Sequence, residues 1–171
     1  TRAGVRGTKM DLKEPHVLGA DVSGEIVEVG SNVTKVSVGD RVVVNPRITC
    51  MQCSYCQSNQ SEYCEKAGMV GSATRGGYAE FAVVPASSVF PIPTSLSYVQ
   101  AASLPTVLMP SLNILIRSWI LKPWEIALVP SASSGVGTAA IQVAKNVAKS
   151  TVVTTTSTPA VSYTHIRAHE T

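Results

Sequence analysis

Cys50, Cys53, Cys56 and Cys64 follow one another as C-x2-C-x2-C-x7-C, and the chain has no other cysteine. Thiolates two residues apart can turn onto one ion, and Zn2+ takes four such soft ligands in a tetrahedron. Four thiolates leave no open coordination position, so the expected site is structural. It would supply folding energy to a segment that has no core of its own. Two other readings stand beside it. One is an iron–sulfur site, although the ferredoxin run has a shorter last interval followed by Pro, and here Glu65 follows Cys64. The other is free or oxidised thiols. A RING or LIM module would need a second zinc and more ligands than the chain contains. A tight cluster without a secretory leader points to metal ligands in a reducing compartment, and a cytoplasmic location is expected.

The second candidate is the turn Ser131-Ala132-Ser133-Ser134-Gly135-Val136-Gly137. Against G-x-G-x-x-G, Ala132 and Ser134 take the first two glycine places and Gly137 keeps the third. Small residues let the backbone approach a pyrophosphate, whose charge a helix N-terminus favours. Ser133, Ser134, Gly135, Val136, Gly137 and Thr138 are therefore candidate cofactor contacts. The plainer reading is an ordinary strand-to-helix turn. An acid about twenty residues further on would bind the ribose of NAD. Thr155, Thr156 and Ser157 stand there instead, and hydroxyls leave room for a 2′-phosphate, so NADP(H) is favoured over NAD(H).

The elements that must position these groups follow from pattern. Ile26, Val27 and Val29 precede the turn signal Gly30-Ser31-Asn32. Val33, Val36 and Val38 lead to Gly39-Asp40 and then Arg41 to Val44. Short strands at close spacing suggest a small barrel. Residues 45–75 show little periodicity and read as a lobe around the cysteines. Gly76-Gly77 opens a second strand run, Tyr78 to Val84. Leu112, Leu115, Ile116, Trp119 and Ile120 recur as one helix face, ended by Lys122-Pro123. Ile126 to Val129 reads as a strand buried on both faces. The glycine-rich turn follows, then a helix bearing Ala139, Ile141, Val143, Ala144 and Val147, then a strand over Thr151 to Thr156. Strand, turn, helix and strand open a parallel βαβ unit. The fold class is α/β with a β-rich first domain.

Composition narrows the function. The 171 residues are 44% hydrophobic and 15% charged, a globular balance. The net charge of +3 comes from 14 basic and 11 acidic residues without a like-charge block, which argues against nucleic acid as partner. No apolar run reaches the roughly 18 residues of a membrane span, so no membrane partner is expected.

Together the motifs resemble the medium-chain dehydrogenase/reductase superfamily, the zinc-type alcohol dehydrogenase and quinone oxidoreductase group. The resemblance rests on Pro15-His16-Val17-Leu18-Gly19-Ala20-Asp21-Val22-Ser23-Gly24, Glu28-Val29-Gly30 and Val38-Gly39-Asp40-Arg41-Val42. It continues through the cysteine run, Gly76-Gly77-Tyr78-Ala79-Glu80-Phe81, Ala101-Ala102-Ser103-Leu104 and the Ser131–Gly137 turn. It implies a GroES-like β-barrel catalytic domain over residues 1–110, with a zinc lobe at about 45–75. The start of a doubly wound Rossmann domain over 111–160 follows, cut short from a longer, homo-oligomeric parent. Residues 161–171 resemble translated adapter sequence and are expected to be a non-native tail, so His165 and His169 are not taken as ligands.

The departures carry weight. In the resembled zinc enzymes a His and a Glu follow the glycine near Gly19. Here Ala20 and Asp21 stand in those places, and no Cys lies near Pro105–Val107. The resemblance thus implies a structural zinc without a catalytic one, as in quinone- or alkenal-reductase-like branches. Asp21 is the candidate polar active-site residue, against the plainer reading that it supports the backbone or pairs with a neighbour. His16 reads as structural. Trp124 replaces a turn glycine, and Ala148-Lys149 replaces the Gly-Ala that closes the cofactor-domain helix, so a poorer helix end is expected. The parent is expected to transfer hydride to or from a small carbonyl, alkene or alcohol, the fragment itself being inactive. The alternative is a non-catalytic, zinc-stabilised GroES-like binding module.

Overall fold

The computed structural model describes residues 16–155. It divides into two compact units, the first ending at Tyr98 and the second beginning at Val99. Sequence pattern places the change at 110. Within the second unit the helix Pro105–Leu112 packs against the helix Gly135–Asn146.

In the first unit the strands are β1 (Ser23–Glu25), β2 (Arg41–Val44), β3 (Arg47–Ile48), β4 (Gly68–Met69) and β5 (Val89–Pro91). β1, β2 and β5 form an antiparallel sheet with β2 central, pairing Gly24 with Val42 and Val44 with Val89. Side chains alternate faces along a strand. Val42 and Val44 are accordingly buried, while Arg41 and Val43 are half-buried. Pro91, which has no N–H to give, sits on an outer strand, where that loss costs least. The ladder runs on past β1, with Ile26 N–H donating to Asp40 O at 3.0 Å and Gly39 N–H to Ile26 O at 2.8 Å. Gly39 has φ +91°, which suits glycine, and the Asp40 carboxylate accepts from Ser37 N–H at 2.8 Å. The Arg41 guanidinium donates to Leu96 O at 2.7 Å and lies over the Tyr98 ring, tying the end of the unit to its sheet.

The run Tyr78 to Val84 forms no ladder among the described residues, and Tyr78, Phe81 and Val83 are exposed. Alternating apolar residues give a segment the capacity to be a strand, but a strand also needs a neighbour to pair with.

The second unit begins around helix α2 (Tyr98–Ala102), after the lobe's short helix α1 (Ser54–Gln57) in chain order. Helix α3 (Pro105–Leu112) follows and widens into a π-helical stretch, Asn113–Ser118. Pro110 inside α3 removes one helix N–H and crowds the preceding turn, a common cause of such irregularity. The expected face therefore starts earlier than its apolar pattern, and Ile114, Trp119 and Ile120 are exposed. Lys122 to Glu125 closes a tight turn, with Glu125 N–H on Lys122 O at 3.0 Å and Lys122 N–H on Glu125 Oε2 at 2.8 Å. Trp124 is not among the positive-φ residues, so this turn forms without the glycine of the resembled sequences.

Strand β6 (Ile126–Val129), helix α4 (Gly135–Asn146) and strand β7 (Thr151–Thr154) make one parallel βαβ unit. β6 and β7 pair from Ile126–Thr151 to Val129–Thr154. Ala127 and Val129 are buried on one face, as are Ala139, Val143 and Ala144 of α4. Ile126, Leu128 and Val153 are exposed, so β6 is buried on one face and not on both. The second layer that would cover that face is absent among the described residues. At the end of α4 the left-handed residue is Lys149 (φ +58°), not Ala148, and the closing bonds are made. Ser150 N–H reaches Ala144 O at 3.0 Å and Ala148 N–H reaches Val143 O at 3.1 Å. The helix is fully terminated, with the wrong residue type at the strained position.

Candidate metal centre and cofactor turn

The lobe around the cysteines has almost nothing else to hold it. Between residues 47 and 69 Cys64 is the one buried side chain. The β3–β4 pair closes its base, and Arg47 Nη2 donates to Glu62 O at 2.6 Å. Cys53 precedes the single turn of α1 and Cys56 lies within it, while Met51 and Asn59 take positive φ to fold the chain back on either side. The four sulfur atoms all lie within 4.8 Å of one another. Cys64 Sγ is 3.6 Å from Cys50 Sγ, and Cys50 Sγ is 3.9 Å from Cys56 Sγ. Zn–S bonds of about 2.3 Å in a tetrahedron place the sulfurs about 3.8 Å apart. A disulfide requires about 2.05 Å, and all four cysteines are free. A cubane cluster sets its cysteines on separate irons, so sulfurs gathered this closely suit one ion.

Crowding shifts two of the thiols in opposite directions. Gln52 and Cys53 backbone N–H groups draw the Cys50 thiol down to about 6, helped by hydrogen bonds from Cys64 and Cys53. Burial, then its sulfur neighbours, pushes Cys56 up to about 11. Four sulfurs so close cannot all be thiolate without a positive charge among them. The donor set fits Zn2+, with Cys50, Cys53, Cys56 and Cys64 as its ligands.

Asp21 lies exposed, two residues before β1, and Ala20 is half-buried. Their backbone is set by a crossing of glycines. Gly76, Gly77 and Tyr78 N–H groups donate to Val17, Gly19 and Leu18 carbonyls at 2.8–2.9 Å. A Cβ on Gly76 would strike Gly19 O, and one on Gly71 would come within 2.6 Å of the same atom. Gly19 and Gly71 also have φ of +105° and +80°. His16 Nε2 donates to Gly71 O at 3.1 Å, which is the hydrogen bond a structural histidine makes. Sequence pattern read Gly76-Gly77 as the opening of a strand; the doublet itself was the available sign of a close backbone approach.

At the cofactor turn, Ser134 is the N-cap of α4 and its Oγ accepts from Gly137 N–H at 3.0 Å. Thr138 Oγ1 donates to Ala132 O at 3.0 Å, so Thr138 braces the turn from within. Gly137 cannot carry a side chain, because its Cβ would strike Ser131 O and lie 2.9 Å from Ser134 Oγ. The N–H groups of Gly135 and Val136 belong to the first helical turn, where no carbonyl precedes them in the helix. They are the donors an anion would meet. Thr155 is brought to the turn: its Oγ1 accepts from Ser131 N–H at 3.4 Å and its carbonyl from Ala132 N–H at 3.3 Å. Ser133 lies exposed in the same turn. Thr156 and Ser157 lie outside the described residues. Thr154, which sequence pattern set beside the ribose with Thr155 to Ser157, instead donates its Oγ1 to Val129 O at 2.7 Å and locks the two strand ends together.

The chain is similar to known proteins over most of its length. Residues 2–94 match the family described as alcohol dehydrogenase GroES-like domain. An acryloyl-coenzyme A reductase from Metallosphaera sedula is 38% identical over 146 residues, covering 85% of this chain and 44% of that protein. An NAD-dependent alcohol dehydrogenase from Saccharolobus solfataricus is 33% identical over 144 residues, covering 84% and 41%. A crystal structure of a cobalt- and zinc-bound thermostable alcohol dehydrogenase from Pyrobaculum aerophilum superposes with a TM-score of 0.77 at 36% identity, over 85% of this chain and 44% of that one. The chain thus spans less than half the length of these relatives. On these matches the chain belongs to the alcohol dehydrogenase GroES-like family of the medium-chain dehydrogenase/reductase superfamily.

Proposed function

We propose that the parent protein transfers hydride between NADP(H), in preference to NAD(H), and a small carbonyl, alkene or alcohol, with one structural zinc and no catalytic zinc. The observation that carries the reading is the Ser134-capped turn between β6 and α4, with its glycine packed against Ser131 and the Gly135 and Val136 N–H groups in the first helical turn, where the helix itself offers them no acceptor. A bound nicotinamide supplies the hydride; Ser133 to Thr138 would hold the pyrophosphate, and Thr155 to Ser157 would flank the ribose. No acid follows β7 up to Ser157 to claim a free 2′-hydroxyl, which favours the phosphorylated cofactor. Ala20 carries no donor atom, so the Gly19–Asp21 segment would polarise or place substrate through Asp21 and not through a metal. Relatives named as an alcohol dehydrogenase and as an acryloyl-coenzyme A reductase both fit this range of substrates. The parent is expected to be a cytoplasmic homo-oligomer; among the described residues no helix is long and apolar enough to cross a membrane.

Native mass spectrometry on the chain and its Cys53→Ser variant tests the metal side. One zinc, lost in the variant, is the expected result. A second zinc that survives would return an alcohol dehydrogenase mechanism to first place. On the parent protein, NADPH should saturate at lower concentration than NADH when oxidation is followed with enal, ketone and alcohol substrates. Stable folding with zinc and no affinity for either nucleotide would favour a binding module.

A further inference from the structure

We propose that the cysteine lobe is a clamp on the Gly19–Asp21 segment, so that metal binding and the backbone geometry of that segment are thermodynamically linked. This rests on the metal reading above and extends it to the substrate side of the same unit. The path is short and made of backbone. Both stems of the lobe are held in the β3–β4 pair, where Ile48 faces Gly68. One residue beyond β4, Val70 is 1% exposed and its N–H donates to Pro46 O at 2.8 Å. Gly71 follows at once and lies against Gly19, so closely that a Cβ there would be 2.6 Å from Gly19 O and 2.8 Å from Gly19 N. The third member, Gly76, fills the remaining side, and its Cβ would lie 2.6 Å from both Gly71 Cα and Leu18 C. His16 adds a side-chain tie to Gly71 O.

A three-way contact between backbones has no flexible side chain to absorb movement. Packed interiors pass displacement on instead of damping it. The lobe has one buried side chain between residues 47 and 69, so the ion is its main source of order. Without the ion the β4–Gly71 stem loses its anchor, and Gly19 loses one of the two backbones that confine it. Linkage is reciprocal: if the ion orders the crossing, disturbing the crossing must weaken the ion.

The test uses that reciprocity on the full chain. Cobalt is titrated into wild type and Gly19→Ala, and the thiolate charge-transfer absorbance reads binding at cysteines thirty-one or more residues away in sequence. Affinity is expected to fall about tenfold, within the usual range for coupled sites. Gly24→Ala is the control, since a Cβ there meets nothing within 4 Å and its φ is ordinary; it should bind cobalt as wild type does. In parallel, amide hydrogen exchange is compared with and without zinc at Gly76, Gly77 and Tyr78, which report the crossing, and at Val42 to Val44, which report the sheet. Loss of protection at the first set with retention at the second supports the clamp. If Gly19→Ala does not fold, this exchange comparison on wild type decides alone.

Cobalt affinity within twofold of wild type in a folded Gly19→Ala overturns the proposal. So does unchanged exchange at 76–78 when the lobe is deprotected, or an equal rise at Val42 to Val44, which would mean that the whole unit simply unfolds. A wild-type chain that takes up no metal at all sinks the metal reading and the clamp together, whereas one bound metal without coupling sinks the clamp alone.

Discussion

Lys149→Gly should stabilise the second unit, although it removes a side chain and adds none. Lys149 closes α4 at φ +58° and is exposed, and its side chain makes no hydrogen bond or ion pair to another described residue. An L-residue in the left-handed region costs about 1–2 kcal/mol. Glycine avoids that cost but loses more chain entropy on folding, by about 0.5–1 kcal/mol. The net gain is about 0.5–1 kcal/mol, which for a domain of this size raises the melting temperature by roughly 2–8 °C. The neighbouring Ala148→Gly should do the opposite. Ala148 is buried, its φ is not positive, and glycine there loses about 1 kcal/mol of helix-end order with nothing returned. Trp119 and Trp124 are the only tryptophans and both lie in the second unit, so the fluorescence midpoint in urea reads that unit by itself. A rise for Ala148→Gly with none for Lys149→Gly would refute the reasoning and place the left-handed residue one position earlier.

Three further outcomes follow from the same geometry. Ser134→Ala, which removes the N-cap acceptor of Gly137 N–H, should cost about 1 kcal/mol by the same urea midpoint. Gly137→Ala should cost about 2 kcal/mol or more, because the obstacle is the backbone carbonyl of Ser131, which cannot rotate away; in the parent protein it should also raise the dissociation constant for NADPH. Zinc uptake at pH 8 should release at most three protons per chain, measured by titration calorimetry in buffers of different ionisation heat. Cys50, held near 6, is already a thiolate there, while Cys56, held near 11, must give up its proton. The sign for the metal-free state follows: the contribution of Cys50, whose value is depressed, is present above the ordinary thiol range and is lost as pH falls through about 6.

The metal centre was legible because it is local. Four like donors within a short span leave few ways to fold other than around an ion, and spacing alone carried the argument. The βαβ opening was legible for a similar reason, since the apolar run, the small-residue turn and the helix face are contiguous. What sequence could not show is relational. Tyr78 to Val84 has a strand's composition, yet pairing depends on a partner elsewhere. The face of β6 that carries Ile126 and Leu128 reads as buried from hydrophobicity, but burial requires a second layer. Ala148-Lys149 was flagged at the right helix end, and only the backbone angles show which of the two residues bears the strain.

Asp21 illustrates the same limit at the site itself. Its position after Gly19 follows from resemblance, whereas a role in chemistry depends on what faces it. A carboxylate next to an alanine cannot hold a zinc ion alone: a catalytic zinc needs three protein donors and keeps one position open. The cysteines are all drawn into the lobe, within 4.8 Å of one another, and none is left over for a second ion. On the proposed reading the ion supplies order to the lobe, while the Gly19–Asp21 segment is held by backbone packing. Gly19, Gly71 and Gly76 are where, in the proposed clamp, that order reaches the segment, and it is there, more than at Asp21 itself, that substitution should disturb metal binding.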